Sequence, residues 1–304
     1  MNPWRFGAAS FLIALLVAGA RSDVNGGTPL SAVPDGPART YAGTFALAGG
    51  TAKARAFLDV RPTGATSARL VFSVEDVTDD EKLRDFDVEM TQRMHVIVIS
   101  DDFRHFEHLH PALRPDHRFE VPVDVPAPGR YEIYADTSPH VLGRQVFRFS
   151  VPFGSTKRQS PDLTPTPRTV TAGRYSVTLD GLKLTAGKST PIAVKITKDG
   201  APATDLHPYL GGAAHAVFIN ARTLSYAHGH PMQGAMSMPM QGAMSMPMQG
   251  AMSMPEPAEL PAGARLDSTL SLRVVAPSRG TYKLWLQFRG GTQLYVAPFI
   301  LTAV

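Results

Sequence analysis

The chain contains no cysteine. That absence excludes disulfides, zinc–thiolate clusters, iron–sulfur centres, c-type haem attachment and the thiolate of a blue-copper site. Any metal held by this sequence must sit on histidine, methionine, carboxylate or backbone oxygen. A surplus of one charge sign is also missing. Lys and Arg number 30 against 26 Asp and Glu, a formal net charge of +4, and no long basic block occurs. Nucleic acid is therefore not an expected partner, because phosphate binding needs clustered cations. The nucleophile and zinc-hydrolase signatures G-x-S-x-G and H-E-x-x-H are absent as well, and the chain is read as a non-enzyme.

Long apolar runs are confined to the start. Arg5 supplies a positive flank, Phe11 to Ala18 an apolar core, and Ala18-Gly19-Ala20 a small-residue cleavage site. Residues 1–20 thus read as a signal peptide, with an uncleaved N-terminal anchor as the alternative. Ala20 stands where a lipidated cysteine would be. The expected product is exported, periplasmic or secreted, without a lipid anchor and without a membrane span after signal cleavage.

The chain as a whole is turn-rich, with 26 Gly and 26 Pro. Residues 21–40 read as a flexible lead-in. From residue 41 to 152, short runs of β-branched and aromatic residues recur about every ten positions, with no helical period between them. Residues 153–168 carry three prolines and little apolar content and read as a semi-rigid linker. The strand pattern resumes over 169–304. The predicted fold is all-β, two immunoglobulin-like β-sandwich domains in tandem.

The two halves repeat one another. Met94-His95-Val96-Ile97-Val98-Ile99-Ser100 aligns with Ala214-His215-Ala216-Val217-Phe218-Ile219-Asn220, and His108-Leu109-His110-Pro111 with His228-Gly229-His230-Pro231. The offset is 120 residues throughout, and it also pairs Phe106 with Tyr226 and Asp85 with Asp205. Further on, Pro128-Gly129-Arg130-Tyr131 has an echo in Arg279-Gly280-Thr281-Tyr282, offset by 151. Repeats of this size mark duplicated domains.

Both copies carry H-x12-H-x-H-P. In a hairpin with its tip at Asp102-Phe103, residues whose numbers sum to 205 face each other, so His95 lies opposite His110 and shares its face with His108. Cross-strand Cβ atoms about 5 Å apart suit a metal about 2 Å from each ring nitrogen. Two separate three-histidine patches are expected, His95, His108 and His110 in one domain and His215, His228 and His230 in the other, each a site for Cu(II) or Zn(II). The same histidines, beside Ile97, Ile99 and Phe106, also suit partly buried positions bonded to backbone carbonyls. His105, His117, His140 and His207 have no counterpart in the other half and read as surface residues. His105 and Glu107 alternate to the opposite face.

After Pro231 the unit PMQGAMSM runs three times, giving a loop over 231–258. It holds Met232, Met236, Met238, Met240, Met244, Met246, Met248, Met252 and Met254 among Gly, Pro, Ser and Gln, a composition that packs no core. Thioethers are soft neutral ligands that select Cu(I) or Ag(I). A tandem expansion without function is the competing reading.

The segments MHVIVISDDFRHFEHLHP, PGRYEIYADTSP and DLHPYLGGAAHAVFINARTLSYAHGHP resemble a family of bacterial secreted proteins of two immunoglobulin-like modules, related to YtkA-like and FixH-like proteins found near heavy-metal resistance genes. The resemblance spans residues 41 to 304 outside the methionine insert and implies the fold and export. The methionine run is similar to those of periplasmic copper-tolerance proteins. The expected function is extracytoplasmic binding of copper or silver, as a buffer or chaperone in metal tolerance, with Cu(I) on the methionine loop, Cu(II) or Zn(II) on the histidines and an envelope metal-transfer partner. The alternative is a non-enzymatic envelope interaction or structural module without metal.

Overall fold

The structure, a computed structural model, describes residues 37–47, 50–155, 157–233 and 258–304. The expected signal peptide, residues 21–36 of the lead-in and the methionines from Met236 to Met254 lie outside the described residues. Among the described residues no helix is long and apolar enough to cross a membrane.

Module one contains β1 (Arg39–Ala42), β2 (Thr44–Phe45), β3 (Ala54–Pro62), β4 (Ser67–Asp76), β5 (Met94–Ser100), β6 (Phe106–Leu109), β7 (Ala112–Leu113), β8 (Phe119–Asp124), β9 (Gly129–Thr137) and β10 (Gln145–Phe153). Module two contains β11 (Thr169–Ala172), β12 (Tyr175–Leu179), β13 (Lys183–Leu184), β14 (Ser189–Lys198), β15 (Ala201–Pro202), β16 (Leu206–His207), β17 (His215–Asn220), β18 (Tyr226–Gly229), β19 (Met232–Gln233), β20 (Thr269–Val275), β21 (Gly280–Gly290) and β22 (Gln293–Ala303). The chain is all-β and forms two sandwiches. The sheets run β1-β3-β4-β8-β7 over β2-β10-β9-β5-β6 in module one, and β11-β12-β14-β20-β19 over β13-β22-β21-β17-β18 in module two. Apart from β2, which falls in the expected strand run over 44–47, the two-residue strands, and β1 and β11, go beyond the sequence expectation, because such short segments show no alternation to read.

Each sandwich is closed at one corner by a tyrosine. The Tyr131 hydroxyl donates to the Ala127 carbonyl at 2.8 Å, and the Tyr282 hydroxyl to that of Ser278 at 2.8 Å. This hydrogen bond, at the start of the strand that pairs with the histidine hairpin, is the tyrosine corner of immunoglobulin-like sandwiches. It explains the repeated Gly-x-Tyr.

The histidine hairpins adopt the expected register. Val96 pairs with Leu109 and Ile97 with His108, while Ala216 pairs with Gly229 and Val217 with His228. Strands β5 and β17 are buried along their whole length. Alternate residues explain why. Met94, Val96 and Val98 enter the core of module one, and Ala216 and Phe218 that of module two. The intervening Ile97 and Ile99 meet Val217 and Ile219 in a third apolar cluster, with Phe103, Tyr134, Val146, Tyr226 and Trp285. The modules therefore dock sheet against sheet through their hairpin faces, and the described residues of both modules fall within one compact unit. A strand covered on both faces reads as a continuous apolar run rather than an alternation.

Two aromatic stacks frame this interface. Phe106 lies on Trp285 with centroids 5.2 Å apart at 16°, and Tyr226 on Tyr134 at 5.3 Å and 21°. The 120-residue offset relates Phe106 to Tyr226, and the 151-residue offset relates Tyr134 to Trp285, so the stacks are images of each other across an approximate two-fold axis. The linker follows both modules: Asp162 N–H donates to the Asp102 carbonyl at 2.8 Å, Leu163 packs against the shared cluster, and Ile300 N–H donates to Thr166 Oγ1 at 2.9 Å.

Residues 37–155 produced alone would expose Ile97, Ile99, Phe103, Tyr134 and Val146 as one apolar patch, and such patches drive association. Light scattering on that fragment should find self-association, relieved by Ile97→Asp with Ile99→Asp. A monomeric wild-type fragment would contradict the docking.

Candidate metal centre at the interface of the modules

The hairpin faces bring all six predicted histidines to one place. Within module one, His95 Nδ1 lies 3.0 Å from His108 Nε2, and the His110 ring centroid is 5.2 Å from that of His95. Within module two, His215 Nδ1 lies 3.3 Å from His228 Nε2, and the His230 centroid is 4.7 Å from that of His215. Across the interface, the His108 centroid is 5.2 Å from His215 and 5.5 Å from His228. The two separate patches expected from sequence are thus one cluster, because the histidines share the strand faces by which the modules dock. Two overlapping triads have ligand atoms within 4.8 Å of one another: His95, His108 and His110, and His108, His215 and His228.

The backbone and the opposite module orient the rings. His95 Nε2 donates to the Glu89 carbonyl at 3.0 Å, and His215 Nε2 to the Tyr209 carbonyl at 2.9 Å, two residues again 120 apart. The inner histidine of each hairpin reaches across. His108 Nδ1 is 3.0 Å from Gln287 Oε1, and His228 Nδ1 is 3.5 Å from Asp136 Oδ2. Asp136 pairs with His95 on β5 as Gln287 pairs with His215 on β17, and the two stand 151 residues apart. Metal-ligating histidines commonly present their second nitrogen to such carbonyl, amide or carboxylate partners, which fix ring orientation.

Asp136 is 3% exposed and richly bonded. Arg144 Nε donates to Oδ1 at 2.9 Å and a second guanidinium N–H to Oδ2 at 2.5 Å, while the Tyr226 hydroxyl of module two donates to Oδ2 at 2.9 Å. Burial pushes the carboxyl pKa up, but the Arg144 guanidinium and the hydrogen bonds outweigh it and hold the group well below the usual carboxylate range. Burial also drives His95, His108, His110, His215 and His228 down from their ordinary value, with the neighbouring imidazoles adding repulsion, and His110 falls to about 3. These five rings are neutral near pH 7, the form a metal requires.

Asp136, Gln287, Arg144 and the Glu89 and Tyr209 carbonyls were not anticipated. The signal for the first two was present. Asp136 and Gln287 each lie five residues beyond the repeated tyrosine, at the same 151-residue offset. His105 and Glu107 do point to the other face, where the His105 ring contacts Tyr131 and its Nε2 lies 3.8 Å from Glu107 Oε1. Burial raises the Glu107 carboxyl to about 7. Of the other unmatched histidines, His140 is exposed and bonded to Asp87, and His117 and His207 are partly exposed.

The described ends of the methionine insert are rooted beside the cluster. Met232, two residues after His230, begins β19, which pairs with β20. On the return, Glu259 accepts from the Thr91 N–H of module one at 2.9 Å and packs over Gly211. A Cβ built on the adjacent Gly212 would stand 3.4 Å from His215 Nε2 and 3.7 Å from His230 Cδ2. The remaining predicted methionine ligands lie outside the described residues.

The fold and cluster define a duplicated β-sandwich protein whose copies share one buried polyhistidine centre. A family model described as a domain of unknown function, DUF8832, matches residues 35–151 and again 169–304. The chain belongs to that family and carries its domain twice. No curated protein matches the chain.

Histidines held neutral by burial make stability depend on pH. With folded pKa values below the unfolded 6.5, the unfolded chain binds more protons on acidification, so stability is lost as pH falls below about 6.5. The raised Glu107 and Glu132 carboxyls work in the opposite sense, but the five cluster histidines outnumber them. The urea midpoint should therefore be lower at pH 5 than at pH 7.5. An equal or higher midpoint at pH 5 would contradict the buried neutral cluster.

Proposed function

We propose that the protein binds a late transition-metal ion outside the cytoplasm, copper or silver foremost, and buffers it or passes it on. The observation that carries this reading is the spacing of the paired imidazole nitrogens. His95 Nδ1 and His108 Nε2 are 3.0 Å apart, and His215 Nδ1 and His228 Nε2 3.3 Å. Two nitrogens each about 2 Å from one ion at a tetrahedral or square angle are separated by about 3 Å. Imidazole suits Cu(II) and Zn(II), and thioether suits Cu(I) and Ag(I). The rooting of the methionine insert beside His230 and Gly212 supports a division of labour, with the methionines collecting a soft ion next to a borderline centre.

An exported location rests on the N-terminal sequence pattern alone. A non-enzymatic role is favoured because Glu107 lies on the far side of its strand from the histidines, and the nearby Asp136 carboxylate is already taken up by Arg144, Tyr226 and His228. If no metal binds, the cluster is a hydrogen-bonded seam of an interaction module.

Titration of the full chain with Cu(I), Cu(II) and Zn(II) tests the reading, using wild type, a deletion of residues 234–257 and His95→Ala/His215→Ala. The deletion should lose Cu(I) binding selectively, and the double substitution Cu(II) and Zn(II) binding. Absence of tight binding by wild type would overturn the proposal. Because burial lowers the histidine pKa values, Cu(II) affinity should persist below pH 6.5, where free imidazoles have already lost theirs.

A further inference from the structure

The two nitrogen pairs are not equivalent, and donor–acceptor accounting separates them. His215 Nε2 donates to the Tyr209 carbonyl, which leaves a neutral His215 with a bare lone pair on Nδ1. His228 Nδ1 faces the Asp136 carboxylate, which can only accept and already receives Arg144 and Tyr226. His228 Nδ1 therefore carries its proton, and its Nε2 is bare. Two lone pairs then point at each other across 3.3 Å in a side-chain environment only 2% exposed for His228 and 3% for Asp136. Neutral rings so placed repel, and a cation between them relieves it: a shared proton balanced by Asp136, or a metal ion.

The pair in module one has no such repulsion to relieve. His95 Nε2 donates to the Glu89 carbonyl, so its Nδ1 must accept. His108 Nε2–H can supply that bond, provided that His108 Nδ1 finds a donor, and the Gln287 amide can present its NH2 there as readily as its oxygen. The chain Gln287, His108, His95, Glu89 closes with neutral groups alone. The asymmetry comes from one residue, a carboxylate at 136 against an amide at 287. His108 belongs to both metal-capable triads, so the two cannot be filled alike.

We infer that the cluster is an unequal centre: the first ion is held across the module interface by His215 and His228, positioned by Asp136, and by His108 once its proton moves to Nδ1 against Gln287 Oε1 and frees Nε2, and the His95–His110 end takes a second ion only weakly. This rests on the metal-binding reading above and specifies which residues hold the ion.

Competition titration of the full chain with Zn(II) against a chromophoric chelator reads the order of filling, and Cu(II) electron paramagnetic resonance reads the coordinating nitrogens. His95→Ala should leave the first equivalent within about threefold of wild type, with its spectrum unchanged, whereas His215→Ala should weaken it about 100-fold or more and alter the spectrum. Asp136→Asn should weaken the first equivalent about 10–100-fold. Gln287→Glu leaves the Arg144 pair intact, so it serves even if Asp136→Asn does not fold. By creating a second pair of facing lone pairs, it should tighten the second equivalent about 10–100-fold, a gain that a merely structural role would not give. Equal losses from His95→Ala and His215→Ala, or a Gln287→Glu chain with an unaltered second step, would overturn the asymmetry while leaving metal binding standing. A wild-type chain that binds no ion would overturn both.

Discussion

A carboxylate shut away from water sets the terms for the interface. Asp136 sits at the junction of two sheets, where an unpaired charge would cost several kcal/mol. Its solvation is supplied by protein groups from both modules: the Arg144 guanidinium from its own side, the Tyr226 hydroxyl and the His228 ring from the other. Removing either module strips the carboxylate of partners and uncovers the apolar cluster around Ile97 and Val217. Polar and apolar contributions to docking thus depend on the same geometry. The buried histidines are oriented by that docking rather than by their hairpins alone.

The approximate two-fold arrangement explains why so many contacts occur twice. Carbonyls at 89 and 209, inner histidines at 108 and 228, their cross-module partners at 287 and 136, and aromatic stacks at 106/285 and 226/134 are related pairs. Each inner histidine is oriented by the other module. Packing of this kind resembles an isologous dimer contact, in which one patch meets its own image.

Much of this was legible in the sequence. The period-two strands, the 120-residue offset and the hairpin register follow from local chemistry, since side-chain alternation and turn length leave few choices. The placement of His95, His108 and His110 on one face followed from that register. Face-to-face docking of the two hairpins is a long-range event with no local period. Its trace was the unbroken apolar content of Val96 to Ile99 and Ala216 to Ile219, which alternation would not require of strands with one wet face. Asp136 and Gln287 sit among sequence neighbours that look like ordinary strand residues. Their role arises only when β9 and β21 are laid beside the opposite hairpin.

The crossed partnership of His108 with Gln287 and His228 with Asp136 also bears on how the protein came to be one chain. A homodimer of single modules could build the same seam, the same stacks and the same crossed contacts. It would carry one residue at the position occupied here by Asp136 and Gln287, since a single codon would encode both. A fused pair, unlike a homodimer, can hold a carboxylate on one side of the axis and an amide on the other. Fusion thus permits two chemically different halves from one inherited design.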